Sequence, residues 1–218
     1  TISPDRLGRE LRMWLKEITC ADIIYRADEM GVLAGIFPKV SGNATLFNIA
    51  RQSVLYEPGD ELLNLALLSY KLSADVRNEF ATKFALPGSH TKVLKDMTYI
   101  EAHADFIAGD DLSNEALYNC LYSLSSSAVK IHALLSDNEN VRNNLSLFLR
   151  ELVGIKCSLS GADLVDMGVA RGPNIGVLLK MLHSARLEQS ISTKDDEITV
   201  IQQWMSERSD RGATKDSD

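Results

Sequence analysis

The chain has 218 residues, 45% of them hydrophobic and 24% charged, with a formal net charge of -7 and a pI near 5.2. These proportions are ordinary for a soluble protein and allow a real core, in one domain or two small ones. No apolar run reaches the roughly 18 to 20 residues of a membrane span, no basic-then-apolar leader opens the chain, and the acidic balance argues against loose polyanion binding.

Helical periodicity dominates from the start. Ser3-Pro4-Asp5-Arg6 offers an N-cap hydroxyl, a proline for the first helical position and an acid for the first turn. Leu7, Leu11, Trp14, Leu15 and Ile18 then follow at helical spacing. A second helix is predicted from about Thr19 to Met30, with Gly31 placed to end it in a left-handed conformation. Val32 to Phe37 is a short apolar stretch stopped by Pro38. Helices are predicted near 45–54, 59–72, 73–85 and 91–105, punctuated by Pro58-Gly59 and Pro87-Gly88. Residues 112–135 read as the longest helix, weakened at Ser125-Ser126-Ser127, and Ser136-Asp137 can cap the one after it. Alternating strand patterns are scarce, so the expected fold class is all-α with no significant β-sheet. Gly212 to Asp218 is polar and expected to lack structure.

Cys20, Cys120 and Cys157 are odd in number and lie far apart, which fits reduced thiols better than a disulfide framework or a zinc site. We therefore expect a cytoplasmic protein with no metal site in this chain. The chain opens on Thr1, not Met, two positions before a strong helix start, and we expect a piece cut or processed at a helix boundary.

Charge is unevenly spread. Residues 167–187 hold Arg171, Lys180 and Arg186 with no carboxylate, and residues 80–95 hold Lys83, Lys92 and Lys95 with none. Acid gathers instead at 101–115 and at Asp195-Asp196-Glu197. Such runs serve either as solvated helix faces or as contacts to a polyanion. The segment from Ser160 to Leu187 is the more specific. Ser160 with Asp163 resembles a capping box for a short helix ending near Gly168, and Gly172-Pro173-Asn174-Ile175-Gly176 opens a longer one. A proline-started helix presents free N–H groups and a positive dipole end, which suits a phosphate. Arg171 stands before that end, and Lys180, His183 and Arg186 follow it. The alternative is a tight interhelical turn that needs small residues for packing. His90, His103 and His132 read as ordinary surface or packed histidines.

The run S-G-A-D-L-V-D-M-G-V-A-R-G-P-N-I-G-V-L-L at 160–179 is similar to a segment near the C-terminus of bacterial CCA-adding enzymes and poly(A) polymerases. S-P-D-R-L-G-R-E-L at 3–11 resembles the neck motif of that family, with Asp5 replacing the commoner Glu, and G-V-L-A-G-I-F-P at 31–38 resembles its sequel. The resemblance implies an elongated array without a catalytic head: neck-like helices over 1–40, a helical body over 41–155, an RNA-binding tail module over 156–208 and a disordered end over 209–218. It implies that Asp5, Arg6 and Glu10 support a nucleotide pocket. It also implies that Gly161, Arg171, Gly172, Pro173, Asn174, Gly176, Lys180, His183 and Arg186 contact RNA, with Lys83, Lys92 and Lys95 as further backbone contacts.

The head of that family carries a G-S motif and a D-x-D pair that binds two magnesium ions and works on CTP and ATP. Gly88-Ser89 has no D-x-D close behind it, and the adjacent Asp110-Asp111 is no substitute, because alternating acids on a strand point differently. The His-Asp pair that many relatives carry after the neck is absent from Leu65-Ala66-Leu67-Leu68-Ser69-Tyr70-Lys71, which argues against a phosphohydrolase. The expectation is a tRNA-binding part of a nucleotidyltransferase, inactive alone, with magnesium and CTP or ATP belonging to the head. Its partner is tRNA or another RNA 3′ end, with neither membrane nor DNA. An RNA-binding arm of a poly(A) polymerase and a helical protein-interaction module are the alternatives.

Overall fold

The computed structural model describes residues 2–40 and 44–213, all of them in helices and connecting turns, with no β-strand. The all-α expectation holds. The first helices are α1 (Pro4–Lys16), α2 (Cys20–Glu29), α3 (Val32–Ile36) and α4 (Ala44–Arg51). Next come α5 (Glu61–Leu68), α6 (Ala74–Lys83), α7 (Gly88–Ala102), α8 (Ala104–Ile107) and α9 (Asn114–Leu121). After them run α10 (Ser126–Leu135) and α11 (Glu139–Leu147), which passes into a π-helical turn at Phe148–Leu152. The last three are α12 (Gly161–Asp166), α13 (Pro173–Leu187) and α14 (Lys194–Ala213).

The chain forms two compact units. The first runs to Leu112 and resumes over Leu121–Leu149; the second takes Ser113–Cys120 and everything from Arg150. The segment expected as neck-like helices lies in the first unit with most of the expected body over 41–155, whose Ser113–Cys120 and residues 150–155 fall in the second. The expected boundary between them, at 40/41, falls beside Ser41–Asn43, which lie outside the described residues.

In the first unit the core is built around α5. Six of its eight residues, Leu63 to Leu68, are buried, which is why it carries apolar groups all round and not a single stripe. Its one polar interior residue, Asn64, accepts from the Tyr56 hydroxyl at 2.7 Å and donates to the Leu15 carbonyl at 2.7 Å, tying α1 down. Helix α1 starts as its sequence predicts: the Ser3 hydroxyl accepts the Arg6 N–H at 3.4 Å with Pro4 in the first turn. It then crosses so close to the end of α6 that a Cβ on Gly8 would stand 1.9 Å from the Phe84 carbonyl oxygen. Gly31, at φ +70°, ends α2 in the left-handed region as expected.

Arg77 on α6, 1% exposed, clamps the layer above. It donates to both oxygens of Glu101, at 2.5 and 2.7 Å, to the carbonyls of Ser69 and Tyr70, and to the Thr98 hydroxyl. His132, its Nδ1 held by the Ala128 carbonyl, brings Nε2 to 3.5 Å from Glu101. Burial alone would raise the Glu101 carboxyl, but hydrogen bonding and positive charge from His132 and Arg77 hold it down to about 2.

The predicted long helix over 112–135 is two helices. The break is held from α7: Asp96 accepts the Ser125 N–H at 2.6 Å, and Lys92 donates to the Ser123 carbonyl at 2.9 Å. The next helix is capped by Asn138, whose side chain accepts from Asn140 and Val141, not by Ser136-Asp137. At the far end α14 runs through to Ala213, past the expected disordered start at 209, and residues 214–218 lie outside the described residues.

Candidate nucleic-acid interface

The second unit closes around Leu159, Leu164, Val169, Leu178, Leu182 and Ile201. Two of its helices begin with reciprocal caps. Ser160 and Asp163 exchange hydrogen bonds at the start of α12, so hydrogen bonds from the Ser160 side chain and backbone lower the Asp163 carboxyl. Thr193 and Asp196 do the same for α14, where backbone N–H groups of Ser192 and Thr193 bring Asp196 to about 2. Helix α13 begins differently. Its N-cap is Gly172, at φ +147°, with no side-chain cap and Pro173 in the first turn. Glycine is required there by the backbone alone.

Of the four glycines of the motif, Gly168 sits at φ +101°, and the other three have separate reasons. A Cβ at Gly161 would stand 3.1 Å from Ile175, so α12 and α13 need it to pack. Gly172 answers to its φ. At Gly176 a Cβ would meet nothing within 4 Å, so neither packing nor dihedral calls for glycine in the chain by itself.

Of the residues expected to contact RNA, Arg171, Gly172, Pro173, Gly176 and Lys180 are exposed and Asn174 is half-buried. Pro173, Gly176, Val177, Lys180 and Met181 fall at helical spacing on one open face of α13, with Val177 61% exposed. Leu178 and Leu182 fill the opposite side.

The structure places Arg186 and His183 elsewhere. Arg186 is 15% exposed in its side chain and spends its guanidinium internally: on Glu197 at 2.6 Å, on the Ser158 hydroxyl at 2.8 Å and on the Ser192 carbonyl. His183 lies 3.2 Å from the Ile155 carbonyl with its ring edge on Tyr118 of α9. The stretch over 167–187 is therefore free of acid in sequence but not in space. Glu197, fully buried, also accepts the N–H groups of Ser158 and Leu159, and Glu115 accepts from Ser184 at 2.5 Å.

Glu197 belongs in sequence to the acidic run Asp195-Asp196-Glu197, yet it is buried. The available signal was its register: Glu197, Ile198, Ile201 and Trp204 share the apolar side of α14.

In the first unit, Lys83 is exposed on the rim of a surface pocket with Asp75 and Glu79. Lys92 is paired with Asp96 at 2.7 Å, and Lys95 is exposed. Asp5, Arg6 and Glu10 are exposed on α1, and Arg6 and Glu10 edge a mostly apolar cavity of about 220 Å³ walled by Leu7, Leu11, Trp14 and Phe84.

Helices of this number, order and packing define a known class: the fold is that of about half of a CCA-adding enzyme chain. The Thermotoga maritima CCA-adding enzyme, solved in complex with tRNA, superposes with a TM-score of 0.62 at 15% identity, over 94% of this chain and 52% of that one. A CCA-adding enzyme solved with CTP gives 0.59 at 14% identity, over 94% and 51%. In sequence, the chain is 29% identical over 91 residues to the A-adding tRNA nucleotidyltransferase of Geobacter sulfurreducens, a match covering 42% of this chain and 10% of that protein. No family model matches. The chain thus resembles part, not the whole, of these nucleotidyltransferases.

Proposed function

We propose that this chain is the RNA-holding part of a tRNA nucleotidyltransferase, gripping the acceptor and T-arm side of tRNA through the start of α13. The observation that carries the reading is that start. An uncapped, proline-led helix end with Arg171 before it and Lys180 two turns along stands open to solvent, beside a Gly176 that packing does not need. Free N–H groups, a positive dipole end and two cations suit a phosphate strand, and a bare Cα at Gly176 lets that strand approach the backbone. Contacts of this kind follow shape and phosphate spacing and so serve every tRNA alike. The fold shared with an enzyme solved on tRNA supports the same reading.

Among the described residues no three His, Cys, Asp or Glu side chains gather to hold a metal ion. In this reading magnesium, CTP or ATP and bond making belong to a catalytic head that is not part of these 218 residues. The exposed Asp5, Arg6 and Glu10 would support that domain's nucleotide pocket from α1.

The test is binding of a blunt acceptor–T-arm hairpin, followed by anisotropy across a salt series. Arg171→Glu with Lys180→Glu removes two phosphate contacts and lowers the slope of log affinity against log salt by about 2. Unchanged affinity and slope in that variant would show that the hairpin sits elsewhere.

A further inference from the structure

Helix α7 buries Val93, Leu94, Met97 and Ile100 against its neighbours, so its outer face is centred on Lys92, Lys95, Tyr99 and His103 at helical spacing, with Phe106 of α8 three residues on. An outer helix face is ordinarily charged and polar, lysines included. This one adds the rings of Tyr99 and His103 to its lysines, and Phe106 is exposed on the helix that follows. Tyr99 is 38% exposed and Phe106 49%. The His103 ring lies parallel to that of Tyr99, centroids 3.9 Å apart at 22°, and its Nδ1 is 2.8 Å from the Tyr99 carbonyl, which fixes the pair as a preformed stack. Lys95 is exposed.

The nearby carboxylates are engaged elsewhere or turned aside. Asp96 is buried between Lys92 and the Ser125 N–H, Glu101 is taken by Arg77, and Asp105, exposed and one residue from Phe106, is offset from it by about 100° around α8.

We propose that this face is a ledge for an unpaired stretch of RNA, its bases stacking on Tyr99, His103 and Phe106 and its phosphates drawn to Lys95. Rings offer every base a π-face, and a cation one turn away matches the negative charge of the backbone; this combination marks proteins that hold single strands. The proposal rests on the reading of the chain as an RNA-holding protein, but it concerns a different strand and a different helix from the grip at α13.

The test is anisotropy with a labelled oligouridine of about twelve nucleotides and the full 218-residue chain at low salt. Tyr99→Ala and Phe106→Ala each weaken binding about tenfold, Tyr99→Phe restores it, and Lys95→Glu both weakens it and flattens its salt dependence. Circular dichroism melting shows each variant folded, and a thiouridine oligomer cross-links to the peptide carrying Tyr99. Equal binding by wild type, Tyr99→Ala and Lys95→Glu would overturn the ledge. So would loss of oligomer binding through Arg171→Glu with Lys180→Glu, which puts the strand on α13. Failure of the oligomer to bind while the blunt hairpin still does would overturn it too, leaving this face to a protein partner and the tail grip intact.

Discussion

Replacing Gly8 by alanine adds one methyl group where α1 crosses the end of α6. The new carbon would start 1.9 Å from the Phe84 carbonyl oxygen. It must retreat by roughly 1.4 Å to reach an ordinary C···O contact of about 3.3 Å. Phe84 cannot yield cheaply, because its own N–H is bound to Phe80 and the next turn is closed by Leu86 N–H on the Ala81 carbonyl at 3.0 Å. Helix α1 cannot move without pulling Leu11 and Leu15 out of the core and stretching the 2.7 Å bond from Asn64 to Leu15. Overpacking costs about 2 kcal/mol and a weakened buried amide bond about 2 more, against about 1 kcal/mol gained in helix propensity, for a net loss near 3 kcal/mol. Urea unfolding followed by Trp14 fluorescence in a Trp204→Phe background reads the first unit. Gly176→Ala is the control, since its methyl meets nothing within 4 Å, and it should raise the stability of the second unit by up to about 1 kcal/mol. A loss under about 1 kcal/mol in Gly8→Ala would refute the claim that this crossing cannot open.

Ala85 at φ +43° and Gln189 at φ +55° each follow a helix end in the left-handed region, so Ala85→Gly and Gln189→Gly should stabilise by about 0.5–1 kcal/mol in denaturant titrations. Arg77→Ala strands Glu101 and two carbonyls and should cost about 3 kcal/mol or more by the same assay. Because the folded Glu101 carboxyl sits near 2 against an ordinary 4.5, its stabilisation is complete above 4.5 and drains away as pH falls toward 2. Glu101→Gln should flatten stability across that window. Arg186→Ala should destabilise the second unit by about 3 kcal/mol yet leave the salt slope of hairpin binding unchanged, because Arg186 serves Glu197.

Much of the helical layout was legible because local chemistry decides it. Ser3 with Pro4, Gly31, and Ser160 with Asp163 act within one turn of the residues they cap, and each did what its pattern implies. The split between α9 and α10 was only hinted at by three serines, because the groups that hold it, Lys92 and Asp96, belong to another helix. Arg186 illustrates the same limit at the candidate site. Its immediate neighbours in sequence, Ala185 and Leu187, are uncharged, and the carboxylate that occupies it comes from the next helix. Lys180 escaped that fate because it stands on the outward side of α13, which the Leu178 and Leu182 spacing already indicated, and Arg171 because it lies exposed in the turn before that helix. The rings of Tyr99 and Phe106 are not legible as an outer face in the sequence, because aromatic residues at helical spacing usually mean core. Their exposure in the fold shows that Tyr99 and Phe106 face outward.

The membership of α9 in the second unit has a practical corollary for dissecting the molecule. Because the polypeptide enters that unit at Ser113, departs at Leu121 and comes back at Arg150, no single scissor cut yields the tail whole. A clone beginning at Arg150 would forfeit the Asn114 amide on the Leu187 carbonyl, the Glu115 side chain on Ser184 and the Tyr118 ring on His183. A working excision would graft residues 113–120 onto the remainder.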